Sequence, residues 1–250
     1  MWNGKTVCVV FPAYNEEPNI GRALEDFFAV VDDLGATVVD EILVVDNNSK
    51  DQTAALAAAA GARVVCEPKQ GYGNALKRGL READKDLVIM CEPDGTFVAR
   101  DLFKLLAYSE DFDLVLGTRT TRELIWKEAN MGFSLRVGNV LVAKFMQLLY
   151  GTCSLSDCGC TFRLLNKAAV DRMLDDLHVG GSHFLPNVII AARQHGLSMI
   201  EIPLTYRGRV GESKITGTFK GTARTATDMI LLMIRSWPRF LLRRRRRAKV

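Results

Sequence analysis

The stretch VCVVFPAYNEE at residues 7–17 joins a continuous apolar run to a polar loop. Five apolar residues in a row, 7–11, are typical of a parallel strand that is covered on both faces of its sheet. After the loop at 12–18, apolar residues recur at helical spacing as far as Leu34, which predicts a helix ending at Gly35. A strand followed by a helix is the repeating unit of an α/β fold.

The same alternation continues to about residue 120. Further strands are predicted at 41–46, 62–66, 86–91 and 113–117, and the helices between them at 52–60, 74–83 and from about 99, the first opened by a Ser49–Gln52 capping box. The second half is less regular, with a helix predicted at 131–150 and a strand at 199–206. The pattern predicts one α/β domain at 1–222 with a doubly wound, mostly parallel sheet, and a C-terminal extension at 223–250.

Composition and charge narrow the class of protein. A hydrophobic content of 48% with 25% charged residues is typical of a globular chain and excludes general disorder. The net charge of +4 is uneven, because the residues from Arg235 onward include eight basic and no acidic side chains. No signal-peptide pattern opens the sequence, and no run reaches the ~18 apolar residues that a membrane span needs.

The six cysteines indicate buried, reduced thiols. Cys8, Cys66 and Cys91 each fall in an apolar run that predicts a buried strand. The group at 153, 158 and 160 lacks the paired C-x2-C spacing of a structural zinc site. Free thiols are typical of a cytosolic compartment.

Polar clusters follow four of the predicted strands. They are Tyr14-Asn15-Glu16, Asp46-Asn47-Asn48, Glu92-Pro93-Asp94 and Thr118-Arg119. Since ligands of doubly wound sheets bind beyond the carboxyl ends of the strands, four clusters meeting at one edge predict a site there.

Two of these clusters leave alternatives open when they are read alone. The carboxylates of Glu92 and Asp94 are hard oxygen ligands that suit Mg²⁺ or Mn²⁺, but Pro-Asp-Gly is also good turn chemistry. Asp46 either accepts hydrogen bonds from a base or ribose, or it only caps the following helix. The Gly71-Tyr72-Gly73 segment lacks P-loop spacing, which disfavours an ATPase.

Taken in order, the motifs resemble a known family. They are VVFPAYNEE at 9–17, VVDNNSKDQT at 44–53, KQGYGNA at 69–75, EPDG at 92–95, LGTR at 116–119, the segment 157–163 and RVGESK at 209–214. Together they resemble family 2 glycosyltransferases of the GT-A fold, in particular the dolichol- or polyprenyl-phosphate mannosyltransferase group. The resemblance spans residues 6 to about 220.

The resemblance implies a role for each matching position. The nucleotide-sugar would be bound by Pro12, Tyr14, Glu16, Val44, Asp46, Glu92, Pro93, Asp94, Arg207 or Arg209, and Lys214. Glu92 and Asp94 would hold the Mg²⁺ or Mn²⁺ ion, and Arg119 and Arg136 would face the acceptor phosphate. The chain departs from the family at Glu92, where Asp is usual, and at Thr96, where many relatives have Gln.

The acceptor decides whether a base is needed. A lipid phosphate is already anionic and needs only arginines to position it, whereas a hydroxyl acceptor needs a carboxylate base, for which Asp157 is the candidate. Asp157 is equally suited to a helix cap or a structural ion pair.

The C-terminal segment carries apolar residues at helical spacing, from Met229 to Trp237, beside arginines at 235, 239 and 243. This combination favours an anchor on an anionic membrane surface, and a core helix with a solvated tail is the alternative. Nucleic acid is disfavoured as a partner because the rest of the chain is acidic.

The resemblance, together with the strand-end clusters, implies an inverting, metal-dependent hexosyltransferase with a GDP- or UDP-linked donor. Its acceptor would be a polyprenyl or dolichyl phosphate on the cytosolic face of a membrane. A glycosyltransferase with a hydroxyl acceptor in cell-surface glycan synthesis, or a degenerate nucleotide-sugar binder, are the alternatives.

Overall fold

The computed structural model describes residues 1–209 and 219–247. Within them, the strands are β1 (Val7–Ala13), β2 (Glu41–Asp46), β3 (Arg63–Cys66), β4 (Leu87–Met90), β5 (Leu114–Thr118), β6 (Arg163–Asn166) and β7 (Met199–Pro203). The α-helices are α1 (Glu17–Phe28), α2 (Thr53–Ala59), α3 (Tyr72–Glu82), α4 (Leu102–Leu106), α5 (Phe133–Tyr150), α6 (Lys167–Met173), α7 (Phe184–His195) and α8 (Phe219–Arg247). Strands and helices alternate through the first half, which confirms the predicted α/β class.

All seven strands form one sheet in the order β3-β2-β1-β4-β6-β5-β7. The sheet is mostly parallel, and β6 alone runs antiparallel to both of its neighbours, β4 and β5. Since β5 therefore points the same way as β1, β2 and β4, the carboxyl ends of these four strands lie at one edge. The polar loops that follow them meet there.

Apolar side chains cover both faces of the sheet. One cluster contains Val10 and Leu43 and packs beneath α3, α5, α6, α7 and α8, while the other contains Val9 and Phe11 and packs beneath α1 and α4. Alternate residues of β1 thus enter opposite layers, as expected for a strand that is buried on both faces.

Helix α8 packs against the domain along part of its length. Leu232, Met233 and Phe240 are buried, and the Tyr150 hydroxyl donates to Met233 O at 2.6 Å. Arg243 forms a bidentate ion pair with Asp176, in which Nη1 donates to Oδ2 at 2.7 Å and Nη2 to Oδ1 at 3.0 Å. Because α8 runs through residue 222 and through Pro238 without a break, the predicted boundary at 222/223 falls inside one helix. Among the described helices, none has both the length and the hydropathy to cross a membrane.

The first helix is shorter than predicted. It ends at Phe28, because Asp32 Oδ1 accepts hydrogen bonds from the amides of Leu34 and Ala36 at 2.9 Å and folds 32–36 into a turn. Gly35 supplies the positive φ of +80° that this turn requires. Leu34 is consequently exposed rather than packed on the core.

Two other local predictions are wrong. The helix after β2 begins at Thr53, whose amide is capped by Asp51 Oδ1 at 3.0 Å, whereas Ser49 Oγ accepts from the amide of Asn15. The predicted capping box therefore does not form, and Ser49 instead joins two loops of the sheet edge. Cys66 is exposed rather than buried, because β3 is the edge strand.

Candidate active site

A cavity of about 740 Å³ opens at the sheet edge and extends between α5 and α8. Side chains from the loops after β1, β2, β4 and β5 line its inner part, and residues of α5 and α8 line its outer part. The lining includes Pro12, Tyr14, Glu16, Asn47, Gln70, Gly71, Tyr72, Glu92, Pro93, Asp94, Arg119, Ser134, Gly138, Asn139, Val142, Cys158, Gly159, Thr161, Ser182, Tyr206, Arg209, Ala223, Ala226 and Met229.

The two predicted metal ligands lie together at the base of the cavity. Asp94 is buried, and its Oδ1 accepts from the amide and the hydroxyl of Thr96, at 3.0 and 2.6 Å. Burial and the nearby charge of Asp94 raise the pKa of Glu92 to about 7. The hydroxyl of Tyr72 forms a hydrogen bond with Thr161 Oγ1 and interacts with Glu92. Thr96 thus holds the carboxylate of Asp94, and Tyr72 contacts that of Glu92.

Arg209 pairs with the second oxygen of Asp94. Its Nη2 lies 2.7 Å from Asp94 Oδ2, but this oxygen makes no aligned hydrogen bond with any described residue. Arg207 does not reach the cavity, since its guanidinium lies over the ring of Trp126 at 4.6 Å. Of the two arginines that the sequence offers, the structure therefore brings Arg209 to the carboxylates.

Arg119 is fixed by Asp157 beside the same cavity. Its Nε and Nη2 donate to the two carboxylate oxygens at 2.7 and 3.0 Å, and the ring of Tyr206 lies 5.5 Å from the guanidinium carbon. Although burial opposes a charge here, the pair with Asp157 raises the pKa of Arg119 well above its ordinary value. Gly159 also donates to Asp157, at 3.0 Å, so both oxygens of that carboxylate are occupied.

A buried network supports this ion pair. Glu201 accepts from the amides of Ser156 and Asp157 at 2.8–2.9 Å and fixes the backbone from which Asp157 projects. Arg163 is fully buried and donates to the carbonyl oxygens of Cys160 and Leu185, at 3.0 and 3.3 Å. The loop between α5 and β6 is therefore held by hydrogen bonds at Ser156 and Asp157 and again at Cys160.

Asn47 shapes the opposite wall of the cavity. Its Oδ1 accepts from the amide of Gly71 at 2.7 Å, and its Nδ2 donates to the carbonyl oxygens of Glu67 and Lys69. Gly71 has a φ of +147°, and a Cβ there would lie 2.4 Å from Gly180 O. This glycine is thus required by the close approach of the 179–180 backbone.

Most of the remaining predicted donor-site residues reach the cavity. Pro12, Tyr14, Glu16 and Pro93 line it together with the two carboxylates.

Three more predicted residues lie outside the cavity lining, and a fourth is not among the described residues. The side chain of Val44 is fully buried in the core. Asp46, which accepts from the Ser49 amide at 3.3 Å, is outside the lining, and its neighbour Asn47 takes its place. Arg136 lies 5.8 Å from the ring of Phe133 and does not line the cavity. Lys214 is outside the described residues.

Sequence reasoning missed the residues that reach the cavity from far along the chain. Tyr72, Thr161 and Tyr206 belong to three different segments, and only the packing of the sheet edge brings them together. Tyr72 and Thr161 lie within the motifs at 69–75 and 157–163, and Asn47 stands in the strand-end cluster beside Asp46, but these side chains were given no role of their own.

The donor set fits a divalent ion that is shared with a diphosphate. Among the described residues, no group of three or more His, Cys, Asp or Glu side chains could hold a metal alone. Asp94 Oδ2, however, is buried without an aligned hydrogen-bond partner, and Glu92 is two residues away. Mg²⁺ is typically bound by one or two carboxylates plus substrate phosphates, so this pair is sufficient.

Comparison with known proteins decides the family. The sequence model described as glycosyl transferase family 2 matches residues 8–174. The chain belongs to glycosyltransferase family 2. An uncharacterised glycosyltransferase of Mycobacterium tuberculosis is 32% identical over 228 residues, which cover 90% of this chain and 96% of that protein.

Two relatives from Haloferax volcanii carry more specific descriptions. A low-salt glycan biosynthesis hexosyltransferase is 31% identical over 84% of this chain, which spans only half the length of that protein. A dolichyl-phosphate hexose transferase is 29% identical over 87% of this chain and 90% of its own length.

Solved structures of the same fold include glucosyl-3-phosphoglycerate synthase from Mycobacterium tuberculosis in complex with Mn²⁺, UDP and glucosyl-3-phosphoglycerate. It matches this glycosyltransferase with a TM-score of 0.71 and 20% identity, over 94% of this chain and 81% of that one. The predicted GT-A fold is confirmed.

Proposed function

We propose that this family 2 glycosyltransferase transfers a hexose, with inversion, from a GDP- or UDP-linked donor to a polyprenyl or dolichyl phosphate. The proposal is carried by one observation: a single cavity joins the Glu92–Asp94 pair to Arg119 and continues between α5 and α8. It thus offers a polar end for a nucleotide-sugar and a long, partly apolar end for an acceptor.

The donor side suits a nucleoside diphosphate and a divalent ion. Glu92 and Asp94 would hold Mg²⁺ or Mn²⁺, and the bound ion would withdraw charge from the leaving diphosphate. The complex of glucosyl-3-phosphoglycerate synthase with Mn²⁺ and UDP supports the same pairing in a protein of this fold. Arg209, and Lys214 from the segment at 210–218, would contact the diphosphate oxygens.

The acceptor side suits a phosphate. Arg119 lines the cavity, and Asp157 holds its guanidinium in one orientation through two hydrogen bonds. Arginine binds phosphate oxygens with strong, directed hydrogen bonds, so a fixed Arg119 would position the nucleophile. The dolichyl-phosphate hexose transferase of Haloferax volcanii supports a lipid phosphate as the acceptor.

The reaction needs no proton transfer. An oxygen of the acceptor phosphate attacks the anomeric carbon from the face opposite the diphosphate. The new bond from this oxygen to the anomeric carbon forms as the bond between that carbon and the β-phosphate oxygen breaks, which releases the nucleoside diphosphate and inverts the configuration. The residues contribute mainly by orienting the two substrates.

An exposed apolar face on α5 supports the proposal that the protein acts at a membrane surface. Phe133, Val137, Leu141 and Leu148 of α5 are 75%, 39%, 65% and 80% exposed and recur at helical spacing. The outer end of the cavity opens beside this helix, where a prenyl chain could leave the bilayer and enter. This protein would then act as a peripheral enzyme on the cytosolic face.

A hydroxyl acceptor is less well supported. It needs a base, and both oxygens of Asp157 are already occupied by Arg119 and Gly159. These contacts support a role for Asp157 in positioning Arg119 rather than in accepting a proton.

An acceptor panel tests the proposal. The purified protein is incubated with Mn²⁺, GDP- or UDP-hexoses, and polyprenyl phosphate, polyprenol or 3-phosphoglycerate. Transfer to polyprenyl phosphate alone is expected. Transfer to polyprenol would establish a hydroxyl acceptor, and donor binding without any transfer would establish a degenerate binder.

A further inference from the structure

A second cavity, of about 560 Å³, is lined by a different set of α8 residues from the first cavity. It is lined by His178 and His183 from the segment before α7, and by Arg235 and Arg239, one turn apart on α8. Among the described residues of the lining, Asp228 is the one acidic side chain. The balance of charge in this cavity is therefore positive.

The two arginines of this cavity are not paired with other described residues. In the described part of the chain, neither Arg235 nor Arg239 has a hydrogen-bond or ion-pair partner, whereas Arg243, one turn further on, is paired with Asp176. The Nδ1 atom of His183 is buried and also lacks a partner. A buried ring nitrogen without a partner is costly unless a ligand satisfies it.

The position of the cavity points toward a membrane. The α8 surface beside it exposes Leu231, Ile234 and Leu242, at 40%, 51% and 60%. Apolar side chains flanked by arginines are typical of a helix that lies in the interface between headgroups and acyl chains. Arg235 and Arg239 would then be at the depth of the lipid phosphates.

We propose that this cavity binds the phosphate of an anionic lipid headgroup, with Arg235 and Arg239 as the charged ligands and His183 Nδ1 as a further polar contact. That the phosphate belongs to a lipid rests on the proposed action at a membrane. That the cavity binds a phosphate group does not rest on it. Inorganic phosphate and a lipid headgroup share this chemistry, and the experiment separates them.

The site adjoins the donor-binding wall. Gly180 lines the second cavity, and its carbonyl oxygen accepts from the amides of Gly73 and Asn74, at 3.0 and 3.2 Å, beside the Gly71 wall of the first cavity. Ser182 lines the first cavity and His183 the second. A bound headgroup would therefore hold the outer end of the first cavity at a fixed distance from the bilayer surface.

The test compares two double variants with equal charge. R235Q/R239Q replaces both arginines that line the cavity. R224Q/R244Q replaces two exposed arginines of α8 that do not line it. Binding to phosphatidylcholine vesicles containing phosphatidic acid is measured by sedimentation, which needs no sugar donor. The cavity variant is expected to lose about tenfold more affinity than the control.

Histidine NMR identifies the ligand and the site. The chain has three histidines, and His195, which is paired with Asp176, lies outside the cavity as an internal control. Vesicles containing phosphatidic acid should shift the His178 and His183 signals. Shifts with inorganic phosphate alone would support the site with a soluble ligand. Equal loss of affinity in the two variants, or no histidine shift with either probe, would overturn the proposal.

Discussion

Arg209 Nη2 lies 2.7 Å from Asp94 Oδ2, an oxygen of one of the two carboxylates proposed to hold a divalent ion. Asp94 is 1% exposed, and its other oxygen is held by Thr96. The guanidinium therefore supplies a positive charge beside a buried carboxylate. Under the proposed function, Glu92 and Asp94 would hold the metal, and Arg209 would then be available to contact the donor diphosphate.

Replacing Arg209 by Gln should make the metal-free protein less stable. The buried Asp94 carboxylate would lose its counter-charge, at a cost of about 1–3 kcal/mol. Added Mn²⁺ should restore much of this stability, since the ion supplies the missing positive charge. Thermal unfolding with and without Mn²⁺ measures both effects. The matched control is R207Q, which removes only the contact with Trp126. An equal loss for R209Q in both conditions would show that Arg209 does not stand in for the ion.

The raised pKa of Glu92, to about 7, predicts a pH-dependent stability. In the metal-free protein, the folded state holds one more proton on Glu92 than the unfolded state between pH 4.5 and about 7. The free energy of unfolding should therefore fall as the pH rises through this window. Denaturant titrations of the wild-type protein and E92Q in the presence of EDTA measure this slope. The assignment fails if the two proteins show the same dependence.

Replacing Asp157 by Asn should weaken acceptor binding without changing the pH profile. The amide keeps a hydrogen bond to Arg119 but no longer holds the guanidinium through two charged contacts. A drop of about tenfold to a hundredfold in kcat/KM is expected, mainly through the acceptor KM. D113N, which alters a carboxylate bonded to Ser198, is the control. Loss of the acidic limb of the kcat profile would instead identify Asp157 as a base.

The apolar face of α5 is predicted to contact the bilayer. L141E/L148E should reduce vesicle binding by at least about tenfold, because two exposed leucines no longer enter the interface. L34E/L56E alters two exposed leucines elsewhere. Point variants are preferable to removal of residues 235–250, since Phe240 is buried and Arg243 is paired with Asp176. Equal binding by the two double variants would exclude this face.

The sequence predicted the parallel part of the sheet because its strands are continuous apolar runs. Strand β6 was harder to place, since it is four residues long and begins with the buried Arg163. Its antiparallel pairing joins residues that are far apart in the chain, such as Met90 with Arg163 and Leu116 with Arg163, and no local pattern encodes such contacts. The early end of α1 depended on a side-chain turn at Asp32.

The candidate site was predictable where it follows a strand. Glu92, Asp94 and Arg119 all come directly after β4 or β5, and the edge of the sheet places them in one cavity. The partners of these residues were not predictable in the same way. The Arg119–Asp157 and Asp94–Arg209 pairs join segments that are far apart in the chain, so only the fold determines which carboxylate meets which arginine.

The most direct test measures transfer of labelled hexose to polyprenyl phosphate by the wild-type protein, D94N and D111N. Asp111 is an exposed carboxylate away from the cavity. With Mn²⁺, the wild-type protein and D111N should form the lipid product at equal rates. D94N should be slower by about a thousandfold, since the charge on the leaving diphosphate would no longer be neutralised. Undiminished transfer by D94N, or the absence of lipid product with the wild-type protein, would contradict the assigned site or the assigned acceptor.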